Sequence, residues 1–433
     1  MAFDFLARHF QLEAHGTDIR TECVAGATTF LTMAYIAFVN PAILQDAGMD
    51  FGAVFVATCL VSALGTLVMG LYANYPIALA PGMGLNAFFT YGVVIGLDYT
   101  WQVALGAVFL SGLLFVILSV LPVREWLINA IPQTMKLAIS AGIGLFLAII
   151  ALRNAGVITA DPVTLVTTGD LMAPEPLLAL LGFTAIIALH ARGVPGAVVF
   201  GVLGVTAIGI ALGVSDWKGL ASLPPDPTPT FLALDIVGAM EVGLIAVILT
   251  FLIVDIFDTA GTLIGIAHQA QLLDPEGRLP RLRRTLLADS SATVVGALVG
   301  TSPVTSYIES AAGTNAGGRT GLTALVVAGL FIACLFFAPL AQSVPSYATA
   351  PAILFVACLM ARTLAEIDWS DATEFAPAVI TALGMPFTFS IADGIGLGFI
   401  CYAAAKLMAG RFKECSPAVI LIALIFVAKF ALP

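Results

Sequence analysis

The sequence predicts an all-α polytopic membrane protein of about fourteen transmembrane segments, built as two inverted seven-helix repeats. Three observations carry that prediction. The 433 residues are 60% hydrophobic and 10% charged, with a mean hydropathy of +1.04, whereas soluble domains carry about 25% charged residues. Apolar runs long enough to cross ~30 Å of hydrocarbon recur from one end of the chain to the other. The chain also resembles itself at an offset of about half its length.

Taken in order, the segments are 24–45, 51–72, 77–95, 101–121, 133–152, 177–191, 195–214, 239–267, 285–300, 303–318, 321–341, 346–361, 374–389 and 391–409. A further apolar stretch, 416–432, is left open between spanning the bilayer, lying on it and covering the bundle. Residues 1–23 are amphipathic and charged, without a cleavage site, and read as a cytoplasmic N-terminal segment. The first repeat is then 24–214, the second 239–409, and 410–433 form a C-terminal apolar segment.

Charge supplies an independent test. With the N-terminus in the cytoplasm of a plasma (inner) membrane, Arg8, Arg20, Arg124, Lys136, Arg192, Arg319, Arg362, Lys406, Arg411 and Lys413 fall at cytoplasmic ends. The loop 268–284 adds Arg278, Arg281, Arg283 and Arg284, making fourteen of the seventeen Lys and Arg residues. A miscounted segment would scramble that sorting. The net charge of −10 rests partly on acids such as Asp161, Asp170 and Asp226 in long outer loops. Nothing basic and clustered suggests nucleic acid, and the six cysteines show no CxxC spacing, so they read as packing residues.

The internal repeat shows in two pairs. Thr29-Phe30-Leu31 matches Thr250-Phe251-Leu252 at 221 positions, and Ala80-Pro81 matches Ser302-Pro303 at 222. Seven segments separate the copies, so the halves lie in the membrane with opposite orientation, as in secondary transporters that bind substrate at interrupted helices. The interrupted stretches here are ALAPGMGLNAFFTYG, residues 78–92, and GTSPVTSYIESAAG, residues 300–313. Proline and glycine leave backbone groups unpaired there, which hydrocarbon does not tolerate, so both breaks belong inside the protein. Half-helices starting at the breaks would aim N–H groups at a flat polar ring or an anion.

Asn86 and Glu309 follow the two prolines at +5 and +6. Asn86 has a plain alternative as a structural amide. Glu309 has less of one, because a carboxylate at membrane depth costs about 2.5–3.5 kcal/mol on insertion scales. A third stretch, FLIVDIFDTAGTLIG at 251–265, sets Asp255 and Asp258 one turn apart, with Thr259 and Thr262 beside them. Two such acids in an apolar segment call for a compensating cation or a proton, which makes them candidates for proton coupling. Phe88, Phe89 and Tyr91 are candidates to stack on an aromatic ring, with core packing an equal alternative.

Together APGMGLNAFFTYGVV, VDIFDTAGTLIG, GTSPVTSYIESAAG and ATAPAILFVACLM resemble the AzgA-like adenine/guanine/hypoxanthine permeases of the nucleobase–ascorbate transporter family. IPQTMKLAISAGIGLFLAIIALRNAG at 131–156 fits the same branch, and the match runs over nearly the whole chain. The resemblance implies short strands in the third and tenth segments. It also implies a core domain of segments 1–4 and 8–11, opposed by a gate domain of 5–7 and 12–14. It implies import of purine nucleobases by proton symport, with core moving against gate in an elevator-type or rocking manner. By the same resemblance Asp255, Glu309 and Asn86 are substrate-binding residues, joined by Phe89 and Ser310. Asp258 is a coupling or structural acid, and Thr259, Thr305 and Phe88 line the site. The implied partners are a purine base and membrane lipid; protons couple, no cofactor or metal is called for, and a homodimer stays open.

Other classes fit less well. An anion carrier or channel of similar architecture should favour cations or bare N–H groups at the half-helices, not acids. An intramembrane aspartyl protease needs its two acids on separate helices, whereas Asp255 and Asp258 share one turn. A scaffold has no use for three buried carboxylates. The expectation is therefore a transporter and not an enzyme.

Overall fold

Segments that are apolar on every side must hide their own peptide groups, and in hydrocarbon a helix does so unaided. The computed structural model describes residues 7–121, 131–241, 244–270, 272–274 and 279–431. The first segment is two successive helices, α1 (Ile19–Met33) and α2 (Ile36–Asp46), followed by α3 (Phe51–Val68). The third is strand β1 (Leu79–Pro81) and the half-helix α4 (Met83–Ala87), which continues as a π-helix to Ile95. Next come α5 (Trp101–Val120), α6 (Gln133–Asn154), α7 (Pro174–Ala191) and α8 (Ala197–Ala211). An exposed hairpin, β2 (Ile158–Asp161) with β3 (Leu165–Thr168), joins α6 to α7.

The second half repeats the pattern: α9 (Ile245–Gln269), α10 (Leu282–Val299), then strand β4 (Val304–Ser306) and half-helix α11 (Ser310–Asn315). After them run α12 (Gly321–Cys334), α13 (Ser346–Ala361), α14 (Ala372–Thr388), α15 (Ile391–Met408) and α16 (Pro417–Ala431). Among the described residues nine helices are long and apolar enough to cross a membrane, and three shorter apolar ones accompany them. Each of the fourteen expected segments has its counterpart here. Arg124 and Arg278, two of the sorted charges, lie outside the described residues.

The two breaks repair one another. β1 and β4 pair antiparallel in the middle of the bundle, Ala80 opposite Thr305, with every strand residue buried. Gly82 N–H donates to the Pro303 carbonyl at 2.9 Å, and Tyr307 N–H to Ala78 at 2.9 Å. Threonines finish the edges. Thr66 of α3 serves Leu79 through both its N–H and its carbonyl (2.9 and 3.1 Å), and Thr293 of α10 serves Val304 likewise (3.1 and 2.9 Å). The same hydroxyl device occurs once per half, so the outward backbone groups of Leu79 and Val304 are paired without water.

The open question of 416–432 has a structural answer. α16 runs back along α15: Phe426 packs over Gly396, and Lys429 Nζ meets Asp393 Oδ1 at 2.6 Å near the start of α15.

Candidate functional site

A cavity of about 650 Å³ opens between two walls, each drawn from both halves of the chain. One wall comes from the broken segments and α9: Gly84, Asp258, Thr262, Thr305, Tyr307 and Glu309. The facing wall comes from α6 and α13, including Ser140, Ile143, Val356 and Met360. Its mouth lies at Gln133, Lys136, Arg362 and Thr363, the ends of those helices that the charge sorting assigns to the cytoplasm. Gly84 matters for closeness. A Cβ there would stand 2.5 Å from Ile143, so only glycine lets the half-helix α4 touch α6.

The chain brings Glu309 here by way of the break. Residues 307–309 turn from β4 into α11, and the first N–H groups of that helix are met by the turn's own carbonyls, Ser310 to Tyr307 and Ala311 to Ile308. The Glu309 side chain therefore does not cap its own helix. It accepts from the Tyr35 hydroxyl at 2.6 Å, from the junction of α1 and α2. Asp258 and Thr305 also line the cavity.

The other expected residues lie behind that wall. Asp255 is fully buried; its Oδ2 lies 3.1 Å from the Thr293 hydroxyl, whose one hydrogen it shares with the Val304 carbonyl, and its Oδ1 has no partner among the described residues. Thr259 donates to Asp289 Oδ2 at 2.7 Å, and Ser306 to Asp289 Oδ1 at 2.9 Å. Asn86 is fully buried and donates to Asn40 Oδ1 at 3.1 Å, in a cluster that also holds Thr58, Thr301 and Ser302. Ser310 Oγ accepts from Ala78 N–H at 3.0 Å. Phe88 packs on Phe251 with ring centroids 4.8 Å apart, and Phe89 is buried. The structure thus gathers Glu309, Asp258 and Thr305 at the cavity, and sets Asp255, Thr259, Asn86, Phe88, Phe89 and Ser310 in the packing around it.

Two residues escaped the sequence reading. Asp289 carried a usable signal, an acid inside the apolar segment 285–300, which membrane depth makes expensive. Tyr35 carried none, because a tyrosine in an apolar helix is unremarkable until its partner is known.

The end opposite the mouth is closed. Tyr91, in the π-helix after α4, donates to Asp46 at 2.6 Å. The Arg153 guanidinium at the end of α6 lies 5.5 Å from the Tyr91 ring and 5.9 Å from that of Phe389. Phe389, just past α14, holds a left-handed φ of 53°, a conformation a bulky side chain rarely adopts.

Known proteins place this arrangement. The transmembrane domain of a cyanobacterial bicarbonate transporter, BicA, superposes with a TM-score of 0.65 over 88% of this chain and 97% of that one, at 17% identity. The overall structure of SLC26A9 gives 0.65 over 91% of this chain and 66% of that one, at 12% identity. These likenesses show a shared core-and-gate fold. By sequence, a permease of Methanocaldococcus jannaschii is 53% identical over 99% of both chains. The adenine permease AdeP of Escherichia coli K12 is 48% identical over 98% of this chain and 95% of its own. The guanine/hypoxanthine permease PbuO of Bacillus subtilis is 46% identical over 96% and 98%. With residues 20–397 matching the permease family as well, this multi-pass membrane protein is a transporter rather than an enzyme, and the chain belongs to the xanthine/uracil permease, or nucleobase–ascorbate, family.

Proposed function

We propose that this protein imports purine nucleobases across the plasma membrane by proton symport, through alternating exposure of one central site. The observation that carries the reading is the set of acids on the core side of the cavity, which are met by hydroxyl donors: Tyr35 on Glu309, Thr293 on Asp255, Thr259 and Ser306 on Asp289. A neutral heteroaromatic ring suits such a place. Its N–H groups donate to Glu309 and Asp258, while its faces meet Phe257, Ile143 and Met83 of the same cavity. Purine permeases among the relatives support the choice of ring. Anions of the bicarbonate kind fit poorly, because carboxylates would repel them.

In this reading Glu309 and Asp258 receive the base. Asp255 and Asp289 form the proton-holding pair behind them, one of them half-satisfied. Thr305 and Ser306 on β4 connect the two sets, Thr305 at the cavity and Ser306 on Asp289. Asn86, Phe88, Phe89 and Ser310 support the half-helices that shape the pocket. The open mouth at Arg362 and the closed end at Arg153 correspond to a state facing the cytoplasm, with the N-terminus on that side. An elevator-type or rocking displacement of core against gate would expose the site to the other face.

The test is uptake of labelled hypoxanthine, guanine and adenine by proteoliposomes, with and without an inward proton gradient. Saturable accumulation that collapses with the gradient is the expected result. Absence of purine uptake under every gradient would sink the reading.

A further inference from the structure

We propose that Tyr35 is a positioning residue for the transported base, fixing the Glu309 carboxylate in the orientation that receives it. The inference rests on the reading that Glu309 binds the base. Its own ground is the geometry of two local irregularities that meet.

The first lies in the opening segment. Pro41 has no N–H to offer the Ala37 carbonyl, and just upstream the chain tightens into i to i+3 bonds, Ala37 to Ala34 at 3.1 Å and Phe38 to Tyr35 at 3.0 Å. This splits α1 from α2 and places Tyr35 at the joint. The ring is 1% exposed yet borders the cavity. The second irregularity is the turn from β4 into α11, where the N–H groups of Ser310 and Ala311 are met by the turn's carbonyls and the Glu309 side chain does not cap the helix.

A glutamate side chain has three rotatable bonds and, at a cavity edge, many orientations. Tyr35 removes that freedom by donating to Oε1 at 2.6 Å. A phenol has one hydrogen, so once it donates to Oε1 its oxygen faces outward only as an acceptor. The wall at this point then presents acceptors alone, which selects the N–H side of a base. Hydrogen bonds to a charged group are among the stronger ones, and losing this one should cost roughly tenfold in affinity.

The experiment is uptake kinetics for Tyr35→Phe in proteoliposomes with hypoxanthine and guanine, beside Glu309→Gln. The ring is kept, so packing is preserved, and KM does not depend on how much protein survives insertion. The expected result is a KM raised about tenfold with Vmax per transporter within twofold. Unchanged kinetics, or a fall in Vmax at constant KM, would overturn the inference. If Glu309→Gln itself leaves KM unchanged, the assignment of the base to Glu309 is what fails. If Glu309→Gln raises KM and Tyr35→Phe does not, only the role of Tyr35 falls.

Discussion

Two charged clusters in this molecule show opposite uses of ionisable groups. Around α14 and α15, which the family resemblance assigns to the gate, Lys406 is fully buried and meets Glu374 at 2.5 Å and Glu414 at 2.8 Å, while Arg411 pairs with Asp371 and Glu414. Opposite charges answer one another, and the Arg411 guanidinium with the Thr373 hydroxyl holds the Asp371 carboxyl down to about 2. In the core, Asp255, Asp289 and Glu309 are met by hydroxyls. A hydroxyl accepts as readily as it donates, so it serves a carboxylate and a carboxylic acid equally. The gate cluster fixes its charge state and with it the geometry. The core cluster leaves its charge state free, as the proposed proton coupling would require.

Glu22 sharpens the contrast from within the core. It is fully buried, and accepts from the N–H groups of Arg319 and Thr323 and from the Thr323 hydroxyl, at 2.9, 3.0 and 2.6 Å. Backbone N–H groups cannot turn into acceptors, so this carboxylate is committed to tying α1 to the start of α12. Burial alone therefore does not mark a functional acid; the kind of donor does.

The comparison can be broken in three ways. The largest effect is expected from Asp289→Asn, which keeps the shape and the bonds to Thr259 and Ser306 but cannot lose a proton. Uphill accumulation should collapse to equilibration, while exchange of internal for external base continues; accumulation at wild-type levels would remove Asp289 from the coupling pair. Next comes Lys406→Met, which leaves Glu374 and Glu414 without their buried cation. Glu374, 17% exposed, loses the cation it meets at 2.5 Å, while Glu414 keeps Arg411, so the melting temperature in detergent should fall by a few degrees at unchanged KM. A changed KM with normal stability would show that the gate cluster takes part in binding. The smallest effect concerns the place where core and gate touch. Arg153→Gln removes the cation from Tyr91 and Phe389, and such contacts are worth about 1 kcal/mol. Labelling of Ser140→Cys by an impermeant reagent from outside should then rise roughly fivefold, that energy expressed as a population. No change in outside labelling would mean that Arg153 does not hold the closed end.

Much of this architecture was legible from the chain. Spans, breaks and the likeness of the halves follow from apolar run length and from proline placement, both local properties. Asp258 and Glu309 were legible for the same reason, since an acid in an oily segment stands out without a structure. The relation between Asp255 and Asp258 was not. Three residues on a helix leave them only about 60° apart around the axis, and what lies opposite each one in the bundle, not local geometry, sends one carboxylate to the cavity and the other toward α10. Asn86 shows the same limit: its neighbour Asn40 is 46 residues away, and nothing local announces the pair.

By itself the sequence determined the solvent, the number of the segments, and the two places where helix must fail, because those depend on composition and on which residues lack an N–H. Only the tertiary structure decided which polar groups meet. β1 is repaired by β4 from the other half of the chain, Asp289 joins the acids through Thr259, and a tyrosine at a kink in the first segment holds a glutamate in the tenth. Those pairings join residues up to 274 positions apart. Their partners are selected by the packing of the whole bundle, and no window of sequence contains both ends.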